Sequence, residues 1–260
     1  MSSSLARSEK IALTAVIITK NAATQLADCL KSLAFCQEII VVDSGSEDDT
    51  IEIANSFGVT LLHQSWLGFG PQKKFAVGQS KTDWVLCLDA DERISEKLKA
   101  AIIAEFKSPK FLVYQMPRCN RFMGRWLRHG EGYPDFNIRL FNRQAANWSN
   151  DLVHEHVVTS SPIGVLQGDI MHDTAETIAN YLEKQNRYTT LQAEAMYKKG
   201  KVPSVVKVVL SPWIRFFKMY VIRRGWQDGF PGFVHITIGC LNSFFKYVKA
   251  REFAKQDEVK

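Results

Sequence analysis

The sequence predicts an α/β protein whose mostly parallel, mixed sheet is flanked by helices and followed by a basic helical extension. Three observations predict it. Strand-length apolar runs alternate with helix-period segments through residues 11–106, the order that gives a parallel sheet with right-handed crossovers. Asn21, Asp43, Asp89 and Asp91 stand directly after such runs, where ligands of open α/β sheets collect. From Met196 onward thirteen Lys/Arg face four Asp/Glu, so this stretch is strongly basic in a chain whose formal net charge is +6.

At 260 residues the chain can bury a full core, as one large domain or one domain with an extension. A composition that is 46% hydrophobic and 23% charged argues against wholesale disorder. The five cysteines are odd in number and show no CxxC or metal-type spacing, so a reduced, cytosolic protein is expected. Residues 1–10 are polar and lack the apolar region of a signal peptide.

Residues 11–18 form a near-continuous apolar run, as expected of a central parallel strand. Thr19-Lys20-Asn21 then leads into a helix over 25–33, with Leu26, Leu30 and Leu33 on one face. A second strand over 38–42 ends in Asp43-Ser44-Gly45-Ser46, and Ser46, Asp48 and Asp49 suit the cap of a helix over 50–57. A third strand over 59–63 and a short helix over 75–79 come next, before a fourth strand that ends at Asp89.

That fourth strand runs from Trp84-Val85-Leu86-Cys87-Leu88 abruptly into Asp89-Ala90-Asp91-Glu92. If strand geometry persists, a period of two points Asp89 and Asp91 the same way. Two like charges so placed call for a cation, and hard divalent ions take oxygen ligands while leaving positions for substrate phosphates. The plainer alternative is an acidic turn capping a helix over 94–106. Neither GxGxxG nor a Walker A sequence is present, which disfavours a nicotinamide dehydrogenase or a P-loop enzyme.

Past residue 110 the pattern is less regular. Strands are expected over 111–116 and 137–141, separated by a loop over 124–134 rich in Trp, Arg, His and Gly. A further strand over 152–159 carries His154, Glu155 and His156, and His172 and Asp173 precede a helix over 177–198. His154, His156 and His172 also make a zinc set conceivable, though no cysteine cluster or HExxH accompanies them. A change in character near Gly200 separates a catalytic domain, residues 1–200, from an extension, residues 201–260.

The segments Val16-Ile17-Ile18-Thr19-Lys20-Asn21, Val41-Val42-Asp43-Ser44-Gly45-Ser46-Glu47-Asp48-Asp49-Thr50 and Leu88-Asp89-Ala90-Asp91-Glu92 resemble those of family 2 glycosyltransferases of the GT-A type. Gly70-Pro71-Gln72-Lys73-Lys74-Phe75-Ala76 lies between them, with Lys73 at the family's basic position and Lys74 where the family has Asn. This resemblance covers roughly the first 95 residues. The later half is similar to the lipopolysaccharide inner-core branch that places glucose on heptose. That similarity rests on Arg139-Leu140-Phe141, Val153-His154-Glu155, His172, Lys184-Gln185-Asn186-Arg187 and Arg224-Gly225-Trp226-Gln227-Asp228-Gly229.

The resemblance implies a Rossmann-like GT-A domain that moves a sugar, glucose by the branch, from a UDP-sugar to a core heptose or similar glycolipid. The transfer would be inverting and dependent on manganese or magnesium. It implies Asp91 as leading metal ligand, with Asp89 nearer the ribose and His172 completing the metal or diphosphate site; imidazole suits manganese better than magnesium. Thr19 and Asn21 would line base and ribose. Asp43 would accept a bond from the base, which suits uracil N3–H, although guanine also offers N–H donors. Lys73 would face phosphate. Glu155 would be the general base, with Asp151 and Asp135 in reserve. Arg139 would pair with a phosphate or brace a core carboxylate.

Residues 202–222 are the most hydrophobic long stretch, but Pro203, Lys207, Pro212, Arg215 and Lys218 interrupt the roughly 20 apolar residues a membrane span requires. Trp213, Phe216, Phe217 and Tyr220 beside Arg215, Lys218, Arg223 and Arg224 fit an interfacial helix, and residues 230–249 repeat the pattern. Two helices packing their aromatic faces on the catalytic domain are the alternative. Peripheral association with the anionic inner face of the cytoplasmic membrane is the expectation. Gln185-Asn186-Arg187-Tyr188 is not the QxxRW of processive synthases, so one sugar per encounter is expected. A nucleotidyltransferase would show a Gly-rich phosphate loop that residues 19–24 do not supply. A nucleic-acid binder using the basic tail leaves Asp89 and Asp91 without a purpose, so no nucleic-acid partner is expected.

Overall fold

The run of apolar residues that opens the chain becomes β1 (Ile11–Thr19), the strand around which the main sheet is organised. The computed structural model describes residues 10–151, 155–173 and 177–258. In chain order β1 is followed by α1 (Ala23–Ser32), β2 (Cys36–Asp43), α2 (Thr50–Ser56), β3 (Thr60–His63), α3 (Phe69–Gly78), β4 (Trp84–Asp89), β5 (Glu92–Ile94) and α4 (Glu96–Glu105). Then come β6 (Val113–Phe122), β7 (Arg125–Trp126), β8 (Asp135–Asn142), β9 (Ala146–Trp148), β10 (Val157–Thr159), β11 (Ile163–Val165) and β12 (Ile170–His172). The remainder is helical: α5 (Ile178–Lys198), α6 (Val205–Phe216), a π-helical continuation (Phe217–Ile222), a 3₁₀ turn (Gly225–Asp228) and α7 (Gly229–Glu258).

Two units divide these elements: Met1–Arg118 with Asp135–Asp173, and Cys119–Pro134 with Thr174–Lys260. Gly200 lies in the second unit, between α5 and α6. In the first unit the sheet runs β3-β2-β1-β4-β8-β6-β12-β5. Pairing is parallel among β3, β2, β1 and β4 and antiparallel from β4 to β8 and from β8 to β6, so the sheet is mixed.

Alternation along β1 explains why the sheet is covered on both sides. Leu13, Ala15 and Ile17 join one core with Leu26, Cys29 and Leu30 of α1 and Leu98 and Ile102 of α4. Val16 and Ile18 join the other, with Ala76 and Val77 of α3, Phe141 and Trp148. Each fully buried Leu, Ile or Phe here contributes about 1.5–3 kcal/mol relative to exposure.

The parallel register decides where a ligand can sit. Thr19 aligns with Asp43 across β1 and β2, and Ile18 aligns with Asp89 across β1 and β4. With neighbouring strands about 4.8 Å apart, Thr19 and Asp43 stand at one level on the carboxyl edge of the sheet, and Asp89 stands one residue short of it on the adjacent strand.

Several expected boundaries move. The helix expected over 75–79 begins at Phe69, and β5 intervenes before α4, which Ser95 caps by accepting from the Leu98 N–H. β6 continues to Phe122, well past residue 116. The strand expected over 152–159 is β10 only from Val157; residues 152–154 lie outside the described residues, and Glu155 and His156 precede the strand. Residues 202–222 are helical from Val205, with Ser204 as cap.

Candidate active site

β4 ends at Asp89, and the chain turns through Ala90 and Asp91 before β5 starts at Glu92. Strand geometry therefore does not persist across the acidic pair, and the two aspartates have different partners. Asp89 pairs with Lys73 at 2.9 Å and Arg139 at 2.9 Å. Asp91 pairs with the His172 imidazole, Oδ2 to Nε2 at 3.3 Å. The Asp91 carbonyl also accepts the N–H of Asp173, which holds the end of β12 against this turn.

A buried charge network underlies Asp89. Arg139 of β8 is buried and bonds Glu92 at 2.7 Å as well as Asp89, while Glu92, itself buried, accepts the N–H of Asp89. Burial alone would push the Asp89 carboxyl up, but the Arg139 and Lys73 charges overcome it and hold the group well below the usual carboxylate range. Burial does raise the Glu92 carboxyl, because Arg139 is shared and Asp89 adds like charge. The same two carboxylates push the Arg139 guanidinium above its ordinary value despite the burial that opposes them. Arg139 Nε and Nη1 have no hydrogen-bond partner among the described residues.

Lys73 links Asp89 to Glu155. α3 directs its side chain inward, and its ammonium sits 2.8 Å from Glu155 Oε1 and 4.7 Å from the centre of the Trp148 ring. The Trp148 indole is fixed in turn by donating to Cys87 Sγ at 3.3 Å. Burial pushes that thiol up to about 12, so it is a neutral acceptor. A cavity of about 330 Å³ opens beside these groups, lined by Lys73, Asp89, Gln115, Asn137, Arg139 and Glu155 among others.

The remaining predicted residues cluster at the other side of β1. Thr19 is buried, and its hydroxyl lacks a partner among the described residues. Asp43 turns its carboxylate onto its own loop, accepting the N–H groups of Gly45 at 2.8 Å and Ser46 at 2.9 Å and the Ser46 hydroxyl. Asn21, at φ 51°, accepts the Glu47 N–H through its side chain and donates its own N–H to Ser46 Oγ, so it ties the turn after β1 to the turn after β2. The two reserve bases are engaged: Asp135 with Arg118 at 2.8 Å and Asp151 with His156 at 3.4 Å. His154 lies outside the described residues, and His156 and His172 have different carboxylate partners. Among the described residues no three His, Cys, Asp or Glu side chains are grouped to hold a metal.

Sequence reasoning missed Glu92, Arg118, Trp148, Gln115 and Asn137. Glu92 stands inside the quoted acidic segment; the others come from β6, β8 and β9, whose approach to β4 leaves no local pattern in the chain.

A family model described as glycosyl transferase family 2 matches residues 14–163. The chain belongs to that family. The match runs well past the first 95 or so residues that carried the general resemblance and takes in Arg139 and Glu155. The chain is 33% identical to an uncharacterized glycosyltransferase of Rickettsia bellii, over 94% of this chain and 87% of that protein. It is 28% identical to the lipopolysaccharide core biosynthesis glycosyltransferase LpsC of Rhizobium meliloti, over 92% of each. S. aureus TarS 1–349 in complex with UDP is similar at a TM-score of 0.47 and 14% identity, covering 94% of this chain and 91% of that one. The chain is, by the family match, a family 2 glycosyltransferase with an α/β fold, similar to a lipopolysaccharide core enzyme, and the nucleotidyltransferase alternative gives way.

Proposed function

We propose that this glycosyltransferase moves a sugar, glucose, with inversion from a UDP-sugar to a heptose of the lipopolysaccharide inner core or a similar glycolipid, at the inner face of the cytoplasmic membrane. The observation that carries the donor reading is the placement of Thr19, Asp43 and Asp89 on neighbouring strand ends, within one residue of a common register. A nucleoside laid along that edge meets the remaining lone pair of Asp43 Oδ1 for the uracil N–H, an unpartnered hydroxyl at Thr19 and a second carboxylate for ribose hydroxyls at Asp89. LpsC supports the acceptor class by its relationship.

Asp91 and His172 fit a divalent cation. Their carboxylate oxygen and imidazole nitrogen already face one another at 3.3 Å and both remain partly exposed, a mixed donor pair better suited to manganese than to magnesium. When bound, such an ion stabilises the charge that develops on the leaving diphosphate. Asp89 keeps spare lone pairs for hydroxyls but is held in place by Arg139 and Lys73.

The acceptor hydroxyl must lose its proton while it attacks the anomeric carbon from the face opposite the diphosphate. Glu155 is the base: it lines the cavity beside Asp89, and Lys73 fixes its carboxylate without consuming both oxygens. Trp148 keeps Lys73 from swinging out. The cavity walls contributed by Gln115 and Asn137 offer donors and acceptors for sugar hydroxyls.

Thermal unfolding with UDP-, GDP- and ADP-sugars, each with and without manganese, tests the donor reading. Uridine-specific, manganese-dependent stabilisation is expected, since a ligand that binds only the folded state raises its apparent stability. Equal stabilisation by GDP-sugars would remove Asp43 as a uracil reader.

A further inference from the structure

In the second unit the usual arrangement of a surface helix is inverted. Val206, Trp213 and Ile214 of α6, Phe217 and Ile222 of its π-helical continuation and Phe230 of α7 are between 59% and 72% exposed. The inward side of α6 holds the polar contacts. Arg215 pairs there with Glu131 and donates to Ser243 of α7 at 2.6 Å, while Val208 is buried. A helix at a water boundary normally turns its apolar stripe to the core, and a contiguous exposed apolar face of this size marks a surface that something covers. The 3.6-residue period places Val206, Trp213 and Phe217 on one stripe. Phe233 extends it onto α7 by packing against Phe216 and Tyr220 at 6.1 Å and 5.9 Å.

Charge identifies what covers it. Between Glu194 and Glu252 the only acidic residue is Asp228, which is buried and bonded to His129. Lys218, Arg223 and Arg224 are exposed beside the apolar face. A two-fold dimer through this face would set those unbalanced cations against their own copies. No helix among the described residues is long and apolar enough to cross a membrane, so insertion across a bilayer is not available either. What remains is a surface that is apolar just below and anionic at the top.

We propose that this face lies in the interface of an anionic phospholipid bilayer. Trp213, Ile214 and Phe217 reach the acyl boundary, and Lys218, Arg223 and Arg224 meet the headgroup phosphates. This deepens the membrane-surface reading above and rests on it for its purpose, since docking here would bring the enzyme to a lipid-borne acceptor. Its test needs no sugar.

Full-length protein is sedimented with vesicles of phosphatidylglycerol and phosphatidylethanolamine, and separately with phosphatidylcholine alone. Binding to the anionic vesicles about tenfold tighter than to the neutral ones, weakened by high salt, is expected. Trp213→Glu/Phe217→Glu should abolish it, and the milder Trp213→Ser/Ile214→Ser should reduce it; unchanged melting temperatures show that both variants fold. Undiminished sedimentation of both variants, or no preference for anionic vesicles, overturns the proposal. A dimer that Trp213→Ser/Ile214→Ser dissociates, with no vesicle binding, would give the face to a second copy. UDP-sugar stabilisation of the wild-type protein measured in parallel separates the outcomes: wild type that binds the donor but neither kind of vesicle sinks the docking alone, and wild type that binds anionic vesicles but no UDP-sugar sinks the donor reading alone.

Discussion

Lys73 reaches Asp89 and Glu155 together, so its removal is expected to loosen both carboxylates, the proposed ribose contact and the proposed base. Glu155→Gln keeps the volume and loses the base; a fall in kcat of about 10²- to 10⁴-fold with donor affinity retained is expected, and steady-state kinetics with donor binding measured separately check it. Normal turnover would pass the role to Asp151 or Asp135. Asp91→Ala should abolish metal-stimulated transfer while leaving the melting temperature of the metal-free protein unchanged. Arg139→Ala acts on stability instead. It leaves Glu92 and Asp89 short of their shared cation, and removing one partner of a buried ion pair costs about 3–5 kcal/mol, to be read from urea unfolding. The chemical types at Asp43, Asp89, Asp91 and Glu155 were legible in the chain because they stand next to strand ends or family-like segments. Their partners were not. The turn at Ala90 that sends Asp91 toward His172 and Asp89 toward Arg139 depends on Arg139 of β8 and His172 of β12 arriving from fifty or more residues away, and a period of two within one strand cannot contain that information.

Helix α3 positions Lys73 only because Gly70 lets its first turn approach residues 149–151. A methyl at Gly70 would overlap the Ser149 carbonyl oxygen and come within 2.6 Å of that of Asp151. Gly70→Ala is expected to cost about 1–3 kcal/mol and to lower kcat, because the displaced segment leads to Glu155; chemical denaturation and initial rates test both. In the second unit, α7 holds His235 against Phe122 at 5.2 Å and Tyr181 at 5.9 Å. Burial pushes this imidazole below its ordinary value; Glu131 and Asp228 oppose the shift and Arg215 adds to it. A histidine kept neutral by the fold lets the unfolded chain take up a proton first. The stability it confers is therefore complete above about pH 6.5 and declines as pH falls below that toward the folded value. Melting temperatures between pH 8 and 5 should drop more steeply for wild type than for His235→Phe; parallel curves would remove His235 as the cause. β1, β2 and β4 were readable because each is a largely buried apolar run bounded by polar turns. β7, β9, β10, β11 and β12 have two or three residues each, too few to show any period; β7, β11 and β12 form beside the longer β6, and β9 and β10 pair with each other.

Considered entire, the chain puts Asp43 and Asp89 at the carboxyl ends of β2 and β4, on either side of Thr19 of β1, while antiparallel β8 and β6 supply part of the cavity beside Asp89. That division follows from the mixed sheet: parallel strands all end on one edge, and returning strands bring Arg139, Asn137 and Gln115 to it. The α/β class and family were legible from the order of a few segments, and the basic, aromatic character of the last helices was plain from composition. Which face of α6 turns outward was not, because its hydrophobic period fits inward or outward packing equally until Arg215 is seen to bond Glu131. The reaction proposed for this enzyme is metal-assisted, inverting transfer from a UDP-sugar. Its most direct test is to incubate the enzyme with UDP-glucose, manganese and a heptose-terminated core glycolipid, and to read the new glycosidic linkage by NMR. Release of UDP in step with a β-linked glucose, lost on chelation of manganese, is the result predicted; an α-linked product, or transfer that proceeds from GDP- or ADP-glucose but not from UDP-glucose, would contradict it.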